Sequence, residues 1–323
     1  MIGQEGADAQ GGNLTHSTDE PEQAPGGHAD VATDPPPEDP VFEAVPVARE
    51  AAAMYCREIP YKDYKCDWYH GFWMYLRAMG ISKASGGQAG FLVTRLRELA
   101  RGGESPRVLI TGSVDYSMPS HALWAYDAEG ATQELTLLDI CETPLALTRW
   151  YAERHGRTVE TRCQDILTFA PDRQFDVAMT NSFFGSFSPE LRPRLFESWA
   201  RILRPGGKLV FSNRLRPDAV GLNQFSADDT NVFCDTVMSE ITKLPAHLRE
   251  DLDSIAAAAR TYAERFISHP LRTTDEVEQL LAAAGFRIDV LEVAHHGGRS
   301  SRAVSGPSIN QQADYVRVMA TRR

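Results

Sequence analysis

The chain of 323 residues has no run of about 18 apolar residues, so no transmembrane helix is expected. It has no basic excess: 33 Lys and Arg face 44 Asp and Glu, a formal net charge of -11. A protein that tracks nucleic-acid phosphates needs a basic surface or stripe, so nucleic acid is not an expected partner. Cysteine is scarce. The five present (Cys56, Cys66, Cys141, Cys163 and Cys234) are odd in number, widely spaced and free of any C-x-x-C pair. No disulfide framework and no metal site are expected, and the usage suits a reducing cytoplasm. His295-His296 offers two neighbouring imidazoles without identifiable further ligands.

The first 40 residues lack Lys, Arg and every aromatic side chain, while holding nine acids, six Gly and six Pro. Such a segment cannot bury enough apolar surface to offset its ordering entropy, and a disordered acidic tail over 1–40 is expected. Without a positive start and an apolar stretch it does not read as a secretory signal, and without arginine it does not read as a transit peptide. Nine of the eleven net negative charges lie here, which leaves the rest of the chain at -2.

Beyond the tail, composition is that of a globular α/β protein, 42% hydrophobic and 24% charged. Residues 41–104 read as an N-terminal helical cap. An Ala-rich helix over 43–59 is broken at Pro60. An aromatic cluster, Trp68-Tyr69-His70-Gly71-Phe72-Trp73-Met74-Tyr75, follows, and then a helix over 89–100.

From 105 to 323 strands and helices alternate. Strands are expected at 107–111, 135–138, 159–163, 175–180, 208–212, 286–293 and 313–320. Helices are expected at 118–127, 143–155, 189–203 and 275–284, the last opened by a capping box from Thr273 to Glu276. The alternation predicts a doubly wound, mostly parallel seven-stranded sheet of Rossmann-like type, its last strand antiparallel. Right-handed crossovers bring the strand C-termini to one rim, where Gly112, Asp139, Asp165 and Asn181 would converge. An inserted segment at about 216–270, helix-like from Pro245 to Phe266, would lie over that rim as a lid.

Three stretches carry a family resemblance. Ile202-Leu203-Arg204-Pro205-Gly206-Gly207-Lys208-Leu209-Val210 is similar to the segment leading into the fifth strand of class I S-adenosylmethionine (SAM)-dependent methyltransferases. Phe175-Asp176-Val177 resembles that family's fourth-strand opening, and Leu280–Phe286 its helix-to-strand junction. The resemblance implies SAM as cofactor, with contacts from Gly112, Ser113, Asp115, Asp139, Ile140, Asp165, Ile166, Asn181 and Phe183. Gly112 would let the backbone approach the methionine part, Asp139 would accept from ribose hydroxyls, and Asp165 with Ile166 would bracket the adenine. The family's acid before the first glycine is replaced by Ile110, and only one glycine of the loop remains. Asp115 is the expected substitute for that acid, to hold the SAM ammonium.

For the reaction, Tyr69, His70 and Asn181 are the candidate catalytic residues. Asn181 ends the fourth strand, where amide- and base-methylating relatives carry a Pro-Pro-aromatic continuation; here Ser182-Phe183 stands instead. The expected partner is therefore a small molecule, and a homodimer is left open. Two alternatives share the fold. One is an enzyme that cyclises SAM to a four-membered amino acid ring with release of methylthioadenosine, eased by the lost acid at position 110. The other is a non-catalytic SAM-fold binding protein.

Overall fold

The computed structural model describes residues 38–58, 65–102, 105–249, 251–296 and 313–323. The tail expected over 1–40 lies outside these residues except at its end. There Asp39 belongs to the folded protein, paired with Arg77 at 2.7 Å and accepting from the Tyr116 hydroxyl at 2.6 Å. The break expected at Pro60 also lies outside the described residues.

Helices α1 (Val41–Tyr55), α2 (Asp67–Ala78) and α3 (Ala89–Ala100) precede the sheet. Strand β1 (Arg107–Thr111), helix α4 (Ser117–Asp127), strand β2 (Glu134–Asp139), helix α5 (Glu142–Arg154) and strand β3 (Glu160–Cys163) follow. Then come β4 (Phe175–Asn181), α6 (Arg192–Ile202) and β5 (Leu203–Leu215). The inserted stretch holds β6 (Asn223–Gln224), α7 (Ala227–Glu240), α8 (Leu252–Arg265) and β7 (Ile267–Ser268), the two short strands pairing with each other. Helix α9 (Thr274–Ala283) and strands β8 (Phe286–His296) and β9 (Ala313–Arg322) close the chain.

The large sheet has seven strands in the order β3-β2-β1-β4-β5-β9-β8. β1 to β5 run parallel to their neighbours, while β9 is antiparallel to both β5 and β8. This is the doubly wound arrangement that the strand–helix alternation predicts.

Period-two alternation in the central strands sends side chains to two separate cores. Val108, Ile110, Val177, Met179 and Val210 join the core beneath α1–α5, whereas Leu109, Ala178, Leu209 and Phe211 join the one beneath α6 and α9. Both faces are covered, which is why these strands read as near-continuous apolar runs. On the second face Trp199 is fully buried among Phe184, Phe196 and Phe211, and its indole N–H donates to Thr111 Oγ1 at 3.2 Å. The β1 and β4 exits are tied by Thr180 Oγ1 donating to the Thr111 carbonyl at 2.6 Å.

Three local expectations differ from the structure. The helix expected from 189 begins at Arg192, because the Ser188 carbonyl closes a turn by accepting from the Leu191 and Arg192 amides. Half of the expected capping box forms: Thr273 Oγ1 accepts from the Glu276 amide at 3.3 Å, but the Glu276 carboxylate is taken by Arg192. The 245–266 stretch is a single turn at Ala246–Leu248 followed by α8, and α7 precedes it with its own reciprocal cap between Ser226 and Asp229.

Candidate active site

A cavity of about 380 Å³ opens at the C-terminal rim of β1, β2, β4 and β5. Gly112, Ser113, Asp139, Ile140, Asp165, Ile166, Asn181 and Phe183 all line it, and so do Tyr69 and His70 from α2. The rim inference thus brings ten of the eleven candidates to one cavity.

Asp115 is the exception. It does not line the cavity, and its carboxylate is 1% exposed. It accepts from the Trp73 indole at 2.7 Å, from Arg77 at 3.1 Å and from the Ser117 amide at 2.7 Å. Burial works against its charge, and the Arg77 guanidinium and the Ser117 hydrogen bonds outweigh that, holding the carboxyl below its usual range. Asp115 therefore anchors α2 to the β1 exit and orders the start of α4. A role in holding an ammonium group would require a carboxylate that is already fully engaged.

Gly112 has φ +66°, in the left-handed region that a side chain disfavours. A Cβ placed there would lie 2.2 Å from the Phe183 ring. Asp139, ending β2, accepts from the Ser113 amide at 3.2 Å and the Cys141 amide at 2.8 Å. Burial pushes its carboxyl up to about 6, against the pull of His70 and these amides. Asp165 accepts from the Leu167 amide at 2.9 Å, which turns its loop back beneath the β2 end. Asn181 Oδ1 accepts from Ser212 Oγ at 2.5 Å, joining the β4 and β5 exits. Among the described residues, two non-glycine positions have positive φ, Ser85 at 47° and Ser182 at 53°, and both line the cavity. Strain of this kind collects where surrounding structure must fix a site.

The cap and the insertion form the outer wall. Tyr69 stacks on Tyr262 of α8 at 5.7 Å and contacts Trp68 and Trp73. Burial, with Asp115 and Asp139 nearby, raises the Tyr69 hydroxyl far above its ordinary range, so it acts as a neutral hydroxyl and not as a phenolate base. Residues 266–271 complete the wall, held by the His269 amide donating to the Gly185 carbonyl at 2.9 Å.

The sequence reading missed two groups. Arg214 and Arg216, at and just past the end of β5, face the cavity. Burial lowers both, Arg216 to about 10 with help from Arg214. Arg214 Nε is buried without a hydrogen-bond partner. The second group is a cluster of possible metal ligands that the sequence reading did not foresee. Cys56, Cys66, His70 and Cys141 are all buried, and their ligand atoms lie within 4.8 Å of one another. His70 Nδ1 is 3.4 Å from both Cys56 Sγ and Cys141 Sγ, so this imidazole is turned to sulfur and is not a free general base. Burial lowers the His70 imidazole, but hydrogen bonds to Cys141 and Cys56 override it and push it up to about 10. Hydrogen bonds from Cys56 and Cys66 drive the Cys141 thiol down, while those from Cys141 and Cys56 drive Cys66 up. One signal was legible: Cys66 and His70, four residues apart at a helix start, share a face.

A family model described as a methyltransferase domain matches residues 120–207, from α4 to the Gly206-Gly207 turn. The match covers about a quarter of the chain, which therefore carries a methyltransferase domain on a doubly wound sheet whose one antiparallel strand lies between the fifth parallel strand and the edge strand β8. Among solved structures similar to this methyltransferase is a SAM-dependent methyltransferase from Methanosarcina mazei, 18% identical, covering 68% of this chain and 93% of its own, with a TM-score of 0.42. The magnesium protoporphyrin IX methyltransferase of Synechocystis, solved with bound SAH, is 14% identical over 73% of this chain and 84% of its own, TM-score 0.44. A SAM-dependent methyltransferase from Mesorhizobium loti is 20% identical over 74% and 100%, TM-score 0.43. No curated protein matches the methyltransferase. The family match begins after the β1 exit loop, the place where this sequence departs from the family pattern. The chemistry of the cavity fits SAM: two carboxylates, Asp139 and Asp165, at successive strand ends, beside Gly112 and Ser113 of the β1 exit loop. Among the described residues, no helix is long and apolar enough to cross a membrane.

Proposed function

We propose that the methyltransferase acts on a small-molecule acceptor that carries an acidic group. The observation behind this is the charge division of the cavity. Its two carboxylates, Asp139 and Asp165, lie at the β2 and β3 side, and its two arginines, Arg214 and Arg216, lie at the β5 side. SAM supplies a methyl group activated by a sulfonium.

The chain's own residues do the rest. Asp139 would accept from the ribose hydroxyls, and Asp165 with Ile166 would bracket the adenine. Gly112 and Ser113 would admit the methionine part. Tyr69, Trp73 and Phe183 shield the centre from water, and an aromatic face near a sulfonium is worth about 0.5–2 kcal/mol. Asn181 and the neutral Tyr69 hydroxyl would orient an acceptor. Arg214, buried with an unpartnered Nε, would draw an anion to the far end. In-line transfer gains chiefly from such alignment, up to about 7–11 kcal/mol of the barrier.

The test is Arg214→Gln, assayed with small carboxylic acids and phosphates beside their esters, reading S-adenosylhomocysteine. The KM for the acid acceptor is expected to rise roughly tenfold or more, while SAM affinity by calorimetry changes little. A loss confined to SAM affinity would show that the arginine holds the amino acid carboxylate of SAM, and the acidic-acceptor reading would fall.

One observation favours a second reading. With Asp115 engaged elsewhere and Ile110 in the β1 position, Asp139 and Asp165 are the acids lining the cavity, and neither comes from the β1 loop. A SAM amine near that loop would lose its proton more easily, as ring closure with release of methylthioadenosine requires. Incubation with SAM alone decides: methylthioadenosine and a cyclic amino acid support it, and no turnover until an acceptor is added supports methyl transfer.

A further inference from the structure

We infer that Cys56, Cys66, His70 and Cys141 form a closed mononuclear zinc site that fastens the helical cap to the rim of the sheet beside the ribose carboxylate. Four of the six spacings match the edges of a tetrahedron, and all six lie within 4.8 Å. Zinc–sulfur bonds of about 2.3 Å and zinc–nitrogen bonds of about 2.0–2.1 Å require sulfurs roughly 3.8 Å apart and sulfur to nitrogen roughly 3.6 Å. Here Cys56 and Cys141 Sγ are 3.8 Å apart, Cys66 and Cys141 Sγ 3.6 Å, and the two measured sulfur-to-Nδ1 distances are 3.4 Å.

The geometry and donor types narrow the occupant. Four atoms this close enclose one ion and leave no room for a multi-iron cluster. Three thiols and an imidazole are soft donors that favour zinc over magnesium or calcium. Four protein ligands fill the tetrahedron, so the site is structural and holds no open position for substrate.

The surroundings suit thiolates. Cys66 is the N-cap of α2 and Cys141 the N-cap of α5, so two sulfurs sit at the positive ends of helices. Thr143 Oγ1 contacts Cys56 Sγ at 3.2 Å and donates to the Ala51 carbonyl at 3.2 Å, fixing the end of α1. The four residues are 3%, 4%, 8% and 6% exposed in chain order. Three thiolates would be costly to bury alone, and a divalent ion reduces the site to a single negative charge.

The ligands come from three elements. Cys56 ends α1, Cys66 and His70 open α2, and Cys141 follows β2. Cys141 also donates its amide to Asp139 at 2.8 Å, so one turn carries both a sulfur ligand and the carboxylate assigned to ribose.

The experiment uses the full chain, produced in zinc-supplemented medium and purified without chelator. Elemental analysis is expected to find about one zinc per chain. Cys66→Ala and Cys141→Ala should lose nearly all of it, while Cys163→Ala and Cys234→Ala should retain it. Should the ligand variants fail to fold, the wild-type protein stripped by chelator and titrated with Co²⁺ gives the second readout. Thiolate-to-cobalt charge transfer with the intense ligand-field bands of a tetrahedral ion supports the site. Wild-type protein without metal and without those bands overturns it, as does a disulfide among the three cysteines in protein kept under reductant. SAM affinity should fall several-fold on metal removal. That last readout rests on the proposed role of Asp139, whereas the metal count does not, so failure of one is distinguishable from failure of the other.

Discussion

Helix α2 is held to the sheet at two points, and the two fastenings are of opposite kinds. His70 and Arg77 are seven residues apart, two turns along one face, about 10 Å in rise. Arg77 reaches the β1 exit through Asp115, with Asp39, Trp73 and Tyr116 completing a network in which charges and donors are matched. His70 reaches the β2 exit through Cys141, in a cluster of three thiols and an imidazole whose ligand atoms lie within 4.8 Å of one another. The first is finished by the polypeptide alone. The second is a set of soft donors arranged as a ligand shell. A buried polar group is satisfied either by its own chain or by a ligand, and one helix here shows both solutions.

The largest expected effect tests the finished fastening. Arg77→Met leaves Asp115 buried without its cation, and unfolding by denaturant should show a loss of about 3–5 kcal/mol. A loss below about 1 kcal/mol would mean that the network contributes little.

The pH dependence comes next, on the helix Asp115 orders. His121 on α4 is buried with neither ring nitrogen hydrogen-bonded, and burial, with Arg77 nearby, lowers it to about 4. A histidine lowered in the fold binds fewer protons than in the unfolded chain between about pH 4 and 6.5. Its neutral form is free of penalty above the unfolded value, and stability falls as pH drops through that window. The wild-type protein should lose up to about 3 kcal/mol more than His121→Leu between pH 7 and 4 in paired denaturation curves. Parallel curves would contradict this.

The smallest effect lies on the cavity side of the sulfur fastening. Asp139→Ala should weaken SAM binding by about 1.5–3 kcal/mol in calorimetry, roughly ten- to a hundredfold. Zinc content should be unchanged, because Asp139 orients the turn but contributes no ligand atom. Loss of both together would mean that the turn carrying Cys141 depends on this carboxylate.

What the sequence revealed, and what it hid, divides along the same helix. Gly112, Asp139, Asp165 and Asn181 were legible because each stands at or just after the end of a strand, and parallel topology brings strand ends onto one rim. The cysteine cluster was not, because Cys56 and Cys141 stand 85 residues apart and meet only when α1 packs against α5. Hydrophobic periodicity marks which face of a helix is buried and not what it is buried against. Asp115 misled for a related reason. Its place in the β1 loop suggested a cavity contact, while the Ser117 amide and Arg77 draw its carboxylate toward the cap. Helix α7 escaped notice because it buries only Thr230, Phe233 and Val237 of its fourteen residues, too sparse a stripe to read as amphipathic.

Gly112 and Phe183, contributed by different strand exits, share one small volume. A side chain at 112 must both tolerate a left-handed backbone and displace an aromatic ring. Position 112 can therefore grow only if the ring at 183 moves or shrinks. Directed evolution of a roomier binding cleft would do well to randomise the two codons jointly, since the two positions share the same space.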